Sequence, residues 1–238
     1  MPRSRLVSSA ALAALLVTPV LGVVVGAPAG AASAPTVSSL LGASARALKG
    51  QRGVHLVVTT DRKGVRSAAV ADIGRSVGHE SYTSGAERFD VAVTSSAAYL
   101  SGSASGLRSL MGLSAAQVAK VGAKWIVMKK GSTQYKEFYL NLTATGFGAI
   151  LPSAKGTRLL RTRDATTGGY QLRWTTPASA SASASTTTLV IARGAHALPL
   201  REKVAAAGAT SVTVFSHWGE AVHFSRPAAT IAYATVFG

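Results

Sequence analysis

Residues 53–83 read GVHLVVTTDRKGVRSAAVADIGRSVGHESYT, and this stretch decides the fold. Val54-His55-Leu56-Val57-Val58-Thr59 is rich in β-branched residues and stops at Asp61-Arg62-Lys63-Gly64, a turn tetrad ending in glycine. Val65 to Ile73 resumes the pattern, Gly74 breaks it, and Val77 to Thr83 begins it again. Strand-length runs separated by such short turns can only pair antiparallel, because a parallel crossover needs a dozen residues or more.

Outward from this core the pattern repeats. Downstream come a turn at Ser84-Gly85, then Arg88 to Thr94 and Ala97 to Leu100, completing a meander. Upstream, Thr36 caps a predicted helix in which Val37, Leu40, Leu41, Ala45 and Leu48 recur at helical spacing, with Gly50 and Gly53 ending it. Beyond the meander the character changes. Leu107, Leu110 and Met111 share one helical face, and Ser114 starts a second short helix over 115–121. Trp125 to Met128 reads as a buried strand, and Phe138 to Leu142 and Phe147 to Leu151 as short helices broken at Gly146. Strands resume at Thr157 to Arg163, Tyr170 to Trp174, Leu189 to Ala192, Leu198 to Ala206, Ser211 to Ser216 and Ala221 to Phe224. The Ser, Ala and Thr-rich stretch 175–188 reads as a flexible loop within the fold.

The N-terminus carries a different signal. Arg3 and Arg5 precede an apolar run from Leu6 to Val25 and then small residues, the layout of a secretory signal peptide. Cleavage is expected after Ala31, leaving residues 32–238 as one domain; an uncleaved anchor is the alternative, since the run could span a bilayer. The chain contains no cysteine, which excludes disulfides, thiolate chemistry and lipid attachment to an N-terminal cysteine. Its net charge is +16, and +14 without Arg3 and Arg5, so polyanions such as anionic headgroups or acidic wall polymers are the expected partners.

Trp-Gly-Glu near the C-terminus belongs to a wider pattern. A helix leads to Gly53-Val54-His55-Leu56; a strand ends Ala98-Tyr99-Leu100-Ser101-Gly102; short helices lead to Gly122-Ala123-Lys124-Trp125-Ile126. Ser211-Val212-Thr213-Val214-Phe215-Ser216 then runs into Trp218-Gly219-Glu220-Ala221-Val222 and Arg226-Pro227. In these motifs the chain resembles the LppX/LprG-type lipoproteins of mycobacteria and related actinobacteria, whose fold is akin to the LolA/LolB lipoprotein carriers. The resemblance implies an α+β fold: a curved antiparallel sheet, or half β-barrel, with helices packed on its concave face and an apolar cavity between. It further implies a non-enzymatic role in binding or carrying acylated lipids or glycolipids at the cell envelope. Two departures stand out. Family members carry a lipidated cysteine after the signal, so this chain is expected to be released or held by charge, and Ala229 to Gly238 continues past the usual end.

On that implication the cavity lining would come from Leu107, Leu110, Met111, Leu113, Phe138, Leu142, Phe147, Ile150 and Leu151. From apolar spacing alone the same residues would simply fill a core. Lys129, Lys130, Arg158 and Arg161 are the candidates for meeting a phosphate or carboxylate headgroup, with a solvated strand edge as the alternative. No catalytic signature is present: no nucleophile elbow, no P-loop, no metalloprotease helix, and only nine scattered acids. His217, Glu220 and His223 could surround a metal at a turn, but Gly219 and Trp218 argue for an ordinary turn, so no metal or cofactor is expected. Nucleic acid is not an expected partner either, because aromatic stacking platforms are not interleaved with the basic residues.

Overall fold

The computed structural model describes residues 34–144, 147–179, 183–194 and 196–238. The proposed signal peptide, and with it the cleavage site, lies outside the described residues. Among the described residues no helix is long and apolar enough to cross a membrane.

The first helix, α1 (Val37–Lys49), forms as its spacing predicts. Thr36 accepts from the Ser39 backbone N–H while Ser39 reaches back to Thr36, and Leu40, Leu41 and Leu48 are buried. Five strands follow as a meander: β1 (Gly53–Arg62), β2 (Val65–Gly74), β3 (Gly78–Ser84), β4 (Glu87–Val93) and β5 (Ala97–Gly102). The β1–β2 hairpin turns at Lys63-Gly64, both with positive φ. Helices α2 (Ala104–Met111) and α3 (Ala115–Val121) begin at Ser103 and Ser114 caps, β6 (Trp125–Lys129) follows, and α4 (Thr133–Leu142) is capped by Ser132. A 3-10 turn at Phe147–Ile150 precedes β7 (Arg158–Leu159), β8 (Tyr170–Thr176), β9 (Ser185–Ile191), β10 (Pro199–Ala206) and β11 (Ala209–Ser216). The chain ends with β12 (Thr230–Ala232) and α5 (Tyr233–Phe237).

All twelve strands form one open, curved sheet in the order β12-β6-β5-β4-β3-β2-β1-β11-β10-β9-β8-β7. Helices pack on the concave face, as the half-barrel expectation requires. The sheet is mixed rather than purely antiparallel, because β12 pairs parallel with β6. After β11 the chain crosses the opposite face past β1 towards β5, with Val222 over Gly53 and Gly74 and Phe224 against Tyr99, and so reaches the free edge of β6.

Several local expectations are corrected. Arg158–Leu159 alone is strand within 157–163; the chain then turns at Asp164, whose carboxylate accepts from the Thr166 and Thr167 backbones and the Thr167 hydroxyl. Both ends of the 175–188 stretch are strand rather than loop: Thr175 pairs with Thr186 and Thr176 with Ser185, Thr187 is buried, and residues 180–182 lie outside the described residues. Its threonines are β-branched and find partners on both sides, which low sequence complexity conceals. The 221–224 segment is no strand but part of the crossing strap, and α4 begins at Thr133, five residues before the apolar signal.

Candidate functional site: the concave face and the strap behind it

Strand register sorts the side chains into rows across the concave face. One row runs from Leu172 and Leu189 through Glu202, Thr213 and Val58 to Ala69, Tyr82 and Phe89. The next runs from Phe215 through Leu56, Ala71 and Glu80 to Val91, Leu100 and Ile126. Each apolar row holds one glutamate. Glu80 is buried and Glu202 half-buried; among the described residues neither has an ion-pair partner. Burial raises the Glu80 carboxyl above the usual carboxylate range and pushes Glu202 up to about 7, since desolvation disfavours the charged form. Near neutral pH a proton on Glu202 makes it a hydrogen-bond donor within an apolar surface.

The helices cover these rows in two separate clusters. Leu107, Leu110, Leu113 and Leu142 are buried against Phe89, Val91, Leu100, Ile126 and Met128, with Met111 and Phe138 packed beside them. Phe147 is buried in the second cluster, with Ile150 and Leu151 alongside, together with α1, Leu172, Leu189 and Phe215. The nine candidate lining residues therefore all lie on the helix-covered side, but six belong to one cluster and three to the other. In the described conformation the first group is packed, Leu107 at 1% exposure and Leu142 at 2%. Close packing is reinforced by glycines: a Cβ on Gly78 would collide with the Leu142 carbonyl, so α4 meets β3 backbone to backbone.

The four candidate headgroup residues are exposed but do not form one group along the sheet. Lys129 and Lys130 stand at the end of β6, second in the strand order, whereas Arg158 lies on β7 and Arg161 just beyond it, at the opposite edge.

On the other face the chain after β11 forms a strap over residues 217–229. His217 and Gly219 both have positive φ and the Gly219 N–H donates to the Gly53 carbonyl, while Trp218 turns back to the helix-covered side, stacking on Phe215, meeting Phe147 edge-on and donating from Nε1 to the Pro199 carbonyl. Val222 seats over Gly53 and Gly74, where a Cβ on either strand would strike it, and Phe224 packs between Tyr99 and Trp125. Under the strap lies a cleft of about 230 Å³ lined by His55, Asp72, His79, His217, Glu220 and His223. Four of the five histidines in the chain meet there. His55 Nδ1 is hydrogen-bonded to one Asp72 oxygen at 2.7 Å and His79 Nε2 lies 3.3 Å from the other, so the two imidazoles flank one carboxylate. His55 and His79 each fall within a run that the sequence marks only as a strand. The hairpin register would have found them, since the turns at 63–64 and 75–77 place 55 opposite 72 and 72 opposite 79. Among the described residues no three His, Asp or Glu side chains stand where they could share a metal ion.

No protein-family model matches the sequence, and no curated protein matches it. The fold is nonetheless shared with solved structures. LprF from Mycobacterium bovis superposes with a TM-score of 0.54 at 16% identity, covering 80% of this chain and 96% of LprF. The Mycobacterium tuberculosis lipoprotein LppX does so with a TM-score of 0.50 at 18% identity, covering 78% of this chain and 98% of LppX. The sequence motifs and the backbone thus point to the same open-sheet architecture.

Proposed function

We propose that this protein is an exported, non-enzymatic lipid-binding protein of the cell envelope, acting on acylated lipids or glycolipids. The observation that carries the reading is the concave face itself: two long apolar rows roofed by short helices, in the fold shared with LprF and LppX. Acyl chains would lie along these rows beneath α2–α4, with each buried methylene contributing about 0.8 kcal/mol. Lys129 and Lys130 at one rim, or Arg158 and Arg161 at the other, would meet the headgroup. Because the helix residues are packed in the described conformation, entry requires the roof to move, and short helices with few turns of their own are suited to that.

A second reading is favoured by the same packing. A closed core with a net charge of +16 suits an envelope interaction protein that uses its basic surface on anionic wall polymers or a partner. Organic extraction of protein purified from the culture medium, followed by mass spectrometry, separates the two. A lipid binder yields stoichiometric acylated lipid that survives washing in 1 M salt, where screening shortens to about 3 Å. A polymer binder yields none, and that result removes the lipid reading.

A further inference from the structure

The last residues of the chain are packed into the same apolar cluster that the proposed acyl site uses. Val236 is buried with Leu107, Leu110, Leu113, Val121 and Ile126, and Ile231, Tyr233 and Phe237 pack against that cluster. Ile231 continues the concave row of Leu100 and Ile126 through the parallel β12–β6 pair. Tyr233 and Phe237 stack at 4.2 Å while packing against the cluster, and burial raises the pKa of the Tyr233 hydroxyl. This segment therefore fills space on the concave face with side chains whose chemistry matches a hydrocarbon.

Little beyond that packing holds it. α5 has five residues, below the length at which a helix persists alone, and no side chain caps it. β12 has three residues and sits at the sheet edge. Two side-chain bonds fasten the tail to the roof: Gln117 Nε2 to the Val236 carbonyl, and Gln134 Nε2 to the Tyr233 hydroxyl. Both glutamines belong to roof helices, α3 and α4, so the tail clasps the two elements that must move for an acyl chain to enter. The strap before it has no regular secondary structure between Ala221 and Ala228, so lifting the tail breaks only the three-residue β12–β6 pairing at the sheet edge.

We infer that Ile231–Phe237 is a built-in occupant of the acyl site, displaced when a hydrocarbon chain binds. This inference rests on the lipid-binding reading and adds its regulation: tail and ligand compete for the surface formed by α2, α3 and β6. Tyr99, Phe224 and Trp125 on the opposite face keep the strap tethered, so the displaced tail stays within reach and closes the site again after release.

The test uses the full chain and a fluorescent sixteen-carbon fatty-acid probe, with amide hydrogen exchange over 230–238 as the readout. Probe saturation is expected to speed exchange in that segment while β1 and β2 stay protected. Val236→Ser, and separately Gln117→Ala with Gln134→Ala, are expected to tighten probe binding several-fold, because each weakens the competitor. The glutamine pair leaves the apolar core untouched, so it remains informative if Val236→Ser folds poorly. Probe binding with unchanged exchange at 230–238 and unchanged affinity in both variants overturns the plug and leaves the lipid site standing. No probe binding to the wild type or to either variant overturns the lipid-binding reading itself.

Discussion

Replacing Gly78 with alanine is expected to cost about 3 kcal/mol of folding stability and to pull α4 off the sheet. The added Cβ points at the Leu142 carbonyl, and neither partner can yield by rotating a side chain, because both groups are backbone. Relief requires the C-terminal turn of α4 to move away, taking with it buried Leu142 and the Tyr139 carbonyl that accepts from Thr143. Ala144 also donates to the Gly74 carbonyl, so the displacement reaches the β2–β3 turn. Urea denaturation checks this. A midpoint unchanged from wild type would mean that α4 does not rest on the strand backbone as described.

Substituting Glu202 with glutamine acts through pH. The carboxyl is pushed from 4.5 up to about 7 by burial, so the folded state holds a proton that the unfolded chain releases over that interval. Folded stability is therefore fully present below about 4.5 and falls as pH rises through 7. Each tenfold change in proton affinity corresponds to about 1.4 kcal/mol, and partial solvent access to the side chain reduces the effect, leaving about 2 kcal/mol at pH 8. Glu202→Gln should remove this slope: nearly equal to wild type at pH 4.5 and more stable by that amount at pH 8, by thermal or urea unfolding. Parallel pH profiles would show that the carboxyl is solvated in the folded protein.

The contrast between these two sites explains what the sequence can disclose. The meander from Gly53 to Gly102 is legible because turn residues and β-branched runs fall at fixed short intervals, and α1 announces itself through Thr36 and the leucine spacing. Gly78, by contrast, looks like any strand glycine until α4 is laid across it. Glu202 looks like a surface charge beside Arg201 and Lys203, and only the register with Leu189 and Thr213 turns it inward. The candidate lining residues were recognisable as apolar, but their division into two clusters depends on which helix follows which strand. The tail was opaque for the same reason: Ile231, Tyr233 and Val236 acquire meaning only once the strap has carried them to β6.

The histidine cleft shows the reverse case, in which residues of no evident pattern converge. His217, Glu220 and His223 were visible as a local cluster, yet their partners His55, Asp72 and His79 come from three strands. Gly53 and Gly74, which let Val222 sit directly on the sheet, fix where the strap crosses and hence which side chains it meets.

Photo-crosslinking with a diazirine-bearing fatty acid, mapped residue by residue by mass spectrometry, tests the central claim most directly. The account predicts adducts on the concave side, at Leu107, Leu110, Met111 and Phe138 of the roof and at Tyr82 or Phe89 beneath it, competed away by unlabelled fatty acid. Adducts confined to the exposed basic residues or to the opposite face, or none that a competitor removes, would contradict it.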